Sequence, residues 1–258
     1  VLGLVCLDAE GTIKYNTTTK KKYDSLSYID KEKTLRKLYT NNLKTLKYAI
    51  QYCKNNSIGM YRVTSNLFPM IGLDNIGSKL LDKSVLEDIG RLANQYNIKI
   101  VIHPDQFNVL SSDNEEVVTN TIQNLQYHAL TFDYMGLSET TTNCINIHGG
   151  KANKVKELIN VVNTLPNNIK NRLTFENDEY SYTVNDLVQV YESTGVPVLF
   201  DFHHHLVSSK CISYNADDMK KTYYKAANTW ENKDTVTTHI SNGANSFYDR
   251  KHSDFITA

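Results

Sequence analysis

The sequence predicts an α/β protein built as a single (β/α)8 TIM barrel, and three observations support this fold class. Short apolar segments of strand length alternate with longer amphipathic segments of helix length along the whole chain. No internal repeat or linker interrupts the alternation, so one domain is predicted over residues 1–258. A length of 258 residues is also typical of one such barrel with one large core.

Seven segments are predicted to be strands, mostly short apolar runs of the kind found in parallel strands that are buried on both faces, and residues 252–256 are the candidate for an eighth. Right-handed crossovers place the intervening helices outside the barrel. The helix after the eighth strand is expected to be missing, because the sequence ends at Ala258. The predicted strands are residues 2–7, 58–63, 98–102, 144–147, 173–175, 196–200, 235–240 and 252–256.

The segments between the strands carry helix signals. In the first long segment, apolar side chains recur mostly every three or four residues, and Asp30 is the predicted N-cap. Ser112 followed by Glu115 predicts a capping box, and Gly195 predicts a helix end. The predicted helices are residues 31–55, 85–96, 114–134, 153–165, 184–193 and 217–228, after a polar loop at 12–30.

The composition bounds the partners and the compartment. Lys plus Arg and Asp plus Glu both number 28, so the net charge of zero gives no indication of a nucleic-acid partner. Any contacts with nucleic-acid phosphates are therefore expected to come from a local basic patch. Four widely spaced cysteines predict a reducing compartment, cytoplasmic or nuclear. Neither a membrane span nor a signal peptide is predicted, and a monomer is expected. The local basic candidates are Lys20, Lys21, Lys22, Arg62 and Lys151.

Side chains that bind metals stand at the ends of five successive predicted strands. The clearest stretch reads VPVLFDFHHH, a buried strand that ends on Asp201 and is followed by His203, His204 and His205. Such strand ends converge on one face of a barrel, although any one of these residues alone also fits a buried structural role. Imidazole with carboxylate suits Zn²⁺, Mn²⁺ or Fe²⁺. The strand-end residues are His103, His148, Glu176, Asp201 with His204, and His239.

This number of ligands predicts two or more ions. Two ions about 3.5–4 Å apart can clamp both the attacking and the leaving oxygen of a phosphodiester displacement. The residues by themselves therefore predict a polynuclear metallohydrolase that acts on a phosphodiester.

Six motifs, in this order along nearly the whole chain, resemble those of the UV damage endonuclease family. The resemblance implies a TIM barrel that cuts double-stranded DNA immediately 5′ to cyclobutane dimers, 6-4 photoproducts and sometimes abasic sites. It also implies a cluster of two or three divalent ions, commonly Mn²⁺, with Zn²⁺ as the alternative. The motifs are YRVTSNLFP at 61–69, HPDQF at 103–107, IHGG at 147–150, END at 176–178, DFHHH at 201–205 and HIS at 239–241.

The resemblance assigns roles to individual residues. Gln106 and Phe107 fall on the pair that wedges into the duplex opposite the lesion, where an aromatic ring can stack between separated bases. His203 and His205 are expected to support the ligands rather than bind metal. Glu176, Asp201 and His239 are expected to be catalytic. The implied metal ligands are His103, His148, Glu176, Asp201, His204, His239 and His252.

Several positions depart from the family pattern. Leu73 stands where a family histidine is expected, and Thr237 replaces a lysine that is carboxylated in some members. Leu4 aligns with an aromatic residue that probes the lesion, and Asp8 with an asparagine. A final ligand glutamate would lie beyond Ala258. These departures predict a change at the third ion, whereas the five-strand ligand set predicts an active enzyme.

Three other functions are consistent with the same residues. An abasic-site endonuclease of the endonuclease IV type would share the barrel, the ions and a damaged-DNA substrate. A sugar isomerase of the xylose isomerase-like group would use two divalent ions on a barrel and would need no wedge. A non-catalytic module that binds damaged DNA would keep the interface without the chemistry.

Overall fold

The computed structural model describes residues 1–253, 255 and 256. Its contacts divide the chain into two compact units. The first unit comprises Val1–Asp105 and Ile122–Ile145, and the second comprises Gln106–Thr121 and Asn146–Ala258. None of the helices in the described residues combines the length and the apolarity needed to cross a membrane.

The first unit contains three parallel strands and the start of a fourth, in chain order. The registers pair Leu4 with Tyr61, Tyr61 with Ile100, and Ile102 with Ile145. Helices separate consecutive strands, as parallel neighbours require. The elements are β1 (Gly3–Val5), α1 (Lys20–Asp24), α2 (Tyr28–Asn55), β2 (Met60–Val63), α3 (Lys83–Gln95), β3 (Lys99–Ile102), α4 (Glu115–Tyr134, whose first residues belong to the second unit) and β4 (Ile145–His148).

The second unit contains the rest of β4 and three further parallel strands, again in chain order. Phe175 pairs with Val198, and Asp201 pairs with His239. Trp230 fills the core, and its indole N–H donates to the Val198 carbonyl oxygen at 2.7 Å. The elements are α5 (Val155–Thr164), α6 (Asn167–Lys170), β5 (Leu173–Glu176), α7 (Val184–Thr194), β6 (Val198–Asp201), α8 (Phe202–Ser209), α9 (Asp217–Ala227) and β7 (Thr238–His239).

Seven of the eight predicted strands are present, within a few residues of the predicted bounds. The predicted strand at 252–256 is wrong for the residues that the structure describes, which exclude 254. His252 instead forms an isolated antiparallel bridge with Gly243. The backbone amides of Ala244 and Ser253 complete a local hairpin by donating to Lys251 and Asn242, so these groups are not free to extend a parallel sheet.

Capping geometry corrects two of the predicted helix starts and explains one helix that was not predicted. Ser27, not Asp30, caps α2, and its hydroxyl oxygen accepts from the Asp30 amide, so Asp30 lies in the first turn. Asn114 replaces Ser112 at the start of α4, because its side-chain oxygen accepts from the Glu116 amide. Within the predicted loop at 12–30, Thr19 caps the short helix α1. Gly195 ends α7 with a φ of 76°, as predicted.

Asp8 organises the loop after β1, and its replacement tests this arrangement. Its carboxylate accepts from the Thr12 amide at 3.0 Å, the Thr12 hydroxyl at 2.7 Å and the Ile13 amide at 2.5 Å. Burial raises the pKa of Asp8, but these hydrogen bonds outweigh it and hold the pKa at about 2. The stabilisation is therefore present above the unfolded-state pKa and is lost as the pH falls towards 2.

We expect Asp8→Asn to lower the free energy of unfolding by about 1–2 kcal/mol at pH 7, because charge-assisted hydrogen bonds are lost. The difference from the unsubstituted protein should shrink between pH 4 and pH 2, as measured by urea unfolding at each pH. Asp24→Asn is the control, since the side-chain partner of Asp24 in the described ranges is Lys20, in an exposed ion pair. If the destabilisation caused by Asp8→Asn stayed the same between pH 4 and pH 2, the charged hydrogen bonds of Asp8 would not be its cause.

Candidate metal centre

Glu176, Asp201 and His239 stand together at the C-terminal ends of β5, β6 and β7 in the second unit. The parallel register places Asp201 opposite His239, and the ligand-capable atoms of all three residues lie within 4.8 Å of one another. His239 Nδ1 is 2.6 Å from Asp201 Oδ2 and 3.1 Å from Glu176 Oε1. Glu176 is only 1% exposed and Asp201 is fully buried. These three groups form the centre of the candidate site.

The electrostatics of the three groups fit a bound cation. Two buried carboxylates at this separation repel each other and have lost their hydration, a cost that nearby positive charge offsets. Burial lowers the pKa of His239, but Asp201 and Glu176 outweigh it and raise the pKa to about 10. The site therefore attracts positive charge strongly. Its carboxylate and imidazole donors are the set that divalent transition metals prefer.

Asp201 also holds His204 beside the three groups, with His204 Nδ1 3.8 Å from Asp201 Oδ2 and 3.9 Å from Glu176 Oε1. Asp201 caps helix α8, because its Oδ1 accepts from the His204 amide at 2.7 Å. His204 Nδ1 donates to the Asn177 carbonyl oxygen at 2.9 Å, while its Nε2 lies 3.7 Å from Glu179 Oε2. Burial lowers the pKa of His204, and Asp201 with Glu176 more than restore it. Because Nδ1 donates to this carbonyl oxygen, Nε2 is the ring nitrogen whose lone pair stays available to a metal ion.

Two further predicted ligands lie beside His204. The ring centroids of His148 and His252 are 5.4 Å and 5.5 Å from that of His204. His252 also stacks on His239 at 5.7 Å, and its Nδ1 is 2.7 Å from the Ser241 hydroxyl oxygen. Six of the seven predicted ligands therefore lie in one cluster of the second unit.

The other two histidines of the DFHHH run point elsewhere. His203 is fully buried, with Nε2 2.8 Å from the Asp249 carbonyl oxygen and Nδ1 3.0 Å from the Tyr214 hydroxyl. His205 Nε2 lies 3.0 Å from Asp218 Oδ2. Both contacts fit the expectation that these residues support the site rather than bind metal.

The remaining predicted site residues lie on the loop after β3. His103 belongs to the first unit, and its Nδ1 is 2.7 Å from the Pro104 carbonyl oxygen. Gln106 and Phe107 belong to the second unit, and both side chains are exposed, that of Phe107 to 76%. The ligand role of His103 and the wedge role of the other two stay predictions.

The family departures leave non-ligand side chains at two positions. Leu73, in the first unit, is aliphatic and 41% exposed. Thr237, in the second unit, is buried, and its hydroxyl donates to the Thr235 carbonyl oxygen at 3.2 Å. Neither side chain can supply an imidazole or a carbamate to an ion.

Two asparagines that sequence reasoning missed hold the carboxylates in place. Asn146 Nδ2 donates to Glu176 Oε2, and its Oδ1 accepts from the Thr174 hydroxyl at 2.9 Å. Asn177 pairs with the backbone of Asp201, accepting at 2.9 Å and donating at 3.0 Å. The role of Asn146 could have been predicted, because it lies two residues before His148 on a buried strand, and residues two apart in a strand point to the same face.

Comparison with known proteins gives concordant matches. The sequence profile of a family described as UV-endonuclease UvdE matches residues 1–258. A UV DNA damage endonuclease of Nostoc sp. is 41% identical over 99% of this chain and 80% of its own length. A UV DNA damage endonuclease of Deinococcus radiodurans is 36% identical over 99% of this chain and 85% of its own length.

Solved structures agree with the sequence matches. The crystal structure of SacUVDE matches with a TM-score of 0.84 and 28% identity, covering 99% of this chain and 85% of that one. Endonuclease IV from Thermus thermophilus matches with a TM-score of 0.59 at 10% identity, covering 96% of this chain and 78% of that one. The second likeness shows the fold alone. Together with the parallel strands, these matches confirm the predicted fold class.

Proposed function

The chain belongs to the UV-endonuclease UvdE family, a family of nucleases that act on DNA, and we propose that it cuts damaged double-stranded DNA immediately 5′ to UV photoproducts. The observation that carries the proposal is the buried cluster of Glu176, Asp201 and His239. The likeness to endonuclease IV and to a D-psicose 3-epimerase is limited to the fold, at 10% and 11% identity. An abasic-site nuclease, a sugar isomerase and a non-catalytic module are therefore not favoured.

We propose that the cluster binds two or three divalent ions, with Mn²⁺ as the preferred ion and Zn²⁺ as the alternative. Bound divalent cations supply Lewis-acid polarisation of the scissile phosphodiester and neutralise its developing charge. His103 is proposed as a seventh ligand beside the six in the second unit. The proposed ligands are His103, His148, Glu176, Asp201, His204, His239 and His252.

The protein's own groups prepare the site for this chemistry. Glu176, Asp201 and His239 are the proposed catalytic residues, since the two carboxylates favour positive charge beside them and raise the pKa of the imidazole to about 10. Asn146 holds one oxygen of Glu176 and thereby leaves Oε1 facing His239. Burial of both carboxylates excludes water, which strengthens their interaction with a cation and with the phosphate that it contacts.

We further propose that one copy of the chain acts alone as a single catalytic domain in a reducing compartment, cytoplasmic or nuclear. All four cysteines are free thiols, and three of them are buried. A reducing environment keeps such thiols in this state.

Phe107 and Gln106 are proposed to wedge into the duplex opposite the lesion. A ring that is 76% exposed at a loop tip costs little to insert between bases that a lesion has already separated. Phe107→Ala should lower the preference for a dimer-containing duplex over an undamaged one by about tenfold, the scale of one aromatic–base stack.

Competition binding with the two duplexes measures this preference. The manganese content of Phe107→Ala should stay unchanged, and Tyr224→Ala, which removes another exposed ring from α9, should bind as the unsubstituted protein does. An unchanged preference in Phe107→Ala would rule out the wedge role.

The proposed function is tested by incubating the protein and Mn²⁺ with a duplex that carries a single thymine dimer. A nick directly 5′ to the dimer, with a 3′-hydroxyl end, is the expected result. Cutting only at an abasic site would favour the endonuclease IV type of activity, and tight binding without cutting would favour a non-catalytic module. Ketose–aldose interconversion without DNA cutting would favour the isomerase.

A further inference from the structure

Arg250 and Tyr180 form an exposed cation–aromatic pair in the second unit. The guanidinium carbon of Arg250 lies 4.0 Å from the centroid of the Tyr180 ring, and Arg250 Nε is 3.2 Å from Glu179 Oε1. The Arg250 side chain is 55% exposed and Tyr180 is 62% exposed. Within the described part of the chain, Glu179 is the only hydrogen-bond acceptor that the Arg250 side chain meets, and the bond is made through Nε, so the terminal amino groups have no protein acceptor there.

Glu179 joins this pair to the candidate metal centre. One carboxylate oxygen bonds Arg250, and the other lies 3.7 Å from His204 Nε2. A single carboxylate therefore separates the guanidinium from an imidazole that we propose as a metal ligand. An anion bound by Arg250 would lie next to the position at which the cluster attracts cations.

Both members of the pair are held by their own loops. The Asp178 carboxylate accepts from the backbone amides of Tyr180 at 2.7 Å and Tyr182 at 3.2 Å, which fixes the turn that carries the ring. Arg250 lies in the hairpin closed by the Gly243–His252 bridge. The buried ring of His203 anchors that hairpin through the Asp249 carbonyl oxygen. The pair is thus ordered before any ligand arrives, which lowers the entropic cost of binding.

The charge distribution indicates which ligand the pair would take. With equal numbers of acidic and basic residues, the chain can hold a polyanion only through local cations. Lys151 and Lys154, also in the second unit, are both paired with Asp113. Arg250 is paired as well, with Glu179, but that hydrogen bond uses Nε. The two terminal amino groups remain as a planar fork of donors, a geometry that matches a phosphate, above a ring whose hydroxyl can donate as well.

We propose that Arg250 and Tyr180 bind a backbone phosphate of the DNA strand that enters the metal centre, and so position that strand for incision. This inference rests on the proposed nuclease function and adds a phosphate subsite to it. Glu179 orients Arg250 towards the substrate, so the subsite and the metal centre share one connecting carboxylate.

The test is duplex binding measured by fluorescence anisotropy at several salt concentrations in EDTA, so that no strand is cut. Arg250→Ala should bind the dimer-containing duplex about tenfold more weakly at low salt, and the slope of log K against log salt should fall by about 0.9, the value for one lost phosphate contact. Arg250→Lys should keep the slope but bind more weakly than the unsubstituted protein, since it loses the fork and the stacking. Tyr180→Ala should also bind more weakly.

Lys225→Ala is the matched control, because it removes one exposed cation from helix α9 of the same unit, where the partner of Lys225 among the residues that the structure describes is Asn185. It should bind with the unsubstituted affinity and slope. Equal weakening of Arg250→Ala and Lys225→Ala would overturn the inference in favour of a general charge effect. An unchanged affinity and slope in Arg250→Ala would overturn it as well.

The unsubstituted protein separates this inference from the proposed function. If that protein incises the dimer duplex with Mn²⁺ and Arg250→Ala still binds normally, the inference alone fails. If the unsubstituted protein does not incise, the proposed function fails whatever Arg250→Ala does. Should Arg250→Ala lose its fold by circular dichroism, Arg250→Gln, which keeps most of the side chain, replaces it and is judged by the same salt slope.

Discussion

Asp201→Asn is expected to lower the rate of incision by more than about a hundredfold, because the loss of a residue that merely supports a metal ligand already costs roughly 10–100-fold. The substitution is mild in structural terms. Asparagine caps helices as well as aspartate does, so α8 should keep its start at Phe202. What changes is the charge of a fully buried group 2.6 Å from His239. Single-turnover cutting of the dimer duplex, with manganese content, measures the effect.

Glu176→Gln and His204→Ala should give losses of the same order, because both groups belong to the same buried cluster. Asp218→Asn is the control, since its carboxylate is 66% exposed and, among the described residues, pairs with His205, which is not a proposed ligand. Near-normal incision in all three cluster variants would reject the assignment of the site. Loss in the control as well would indicate a general disturbance around α8 instead.

Removal of divalent ions is expected to abolish incision and to destabilise the protein. The cluster holds two buried carboxylates whose repulsion a cation relieves, so the ion should bind the folded chain and not the unfolded one. Adding Mn²⁺ at one hundred times its dissociation constant should then raise the free energy of unfolding by about 2.7 kcal/mol. Urea unfolding with EDTA and with Mn²⁺ measures this shift.

The identity of the restoring ion gives a second readout. Mn²⁺ or Zn²⁺ should restore incision better than Ca²⁺, because imidazoles make up most of the donors. Asp201→Asn should lose most of the Mn²⁺-dependent stabilisation while Asp218→Asn keeps it. Equal stabilisation of both variants by Mn²⁺ would place the ion elsewhere.

The strand ends were the most predictable part of this molecule. At Glu176 and Asp201, an apolar run that predicts a strand is followed directly by the residue predicted to bind metal. Because the ends of successive parallel strands lie on one face, chain order alone predicts that the two residues meet. Local hydrogen bonds that take up a backbone or side-chain group were harder to predict. His252 looked like the start of an eighth strand, but a hairpin with Gly243 takes up the neighbouring backbone groups. The carboxylate of Asp201 both caps α8 and faces the cluster, a double role that no periodicity indicates.

Contacts between residues distant in sequence were out of reach of the sequence. Asn146 and Glu176 are thirty positions apart, and only folding shows that one orients the other. Arg250 stacks on Tyr180 across a still larger gap, and neither residue belongs to a motif that indicates phosphate binding. The role of such a residue depends on where folding places it and not on its residue type, so a local sequence pattern cannot predict it.

The central claim is that carboxylates and imidazoles from separate strands surround shared cations in the second unit. Crystals grown with Mn²⁺ and measured at the manganese absorption edge test it most directly. We predict anomalous peaks within bonding distance of Glu176, Asp201 and His239, which disappear in Asp201→Asn. A protein that incises the dimer duplex yet shows no manganese peak at these three residues would contradict the claim.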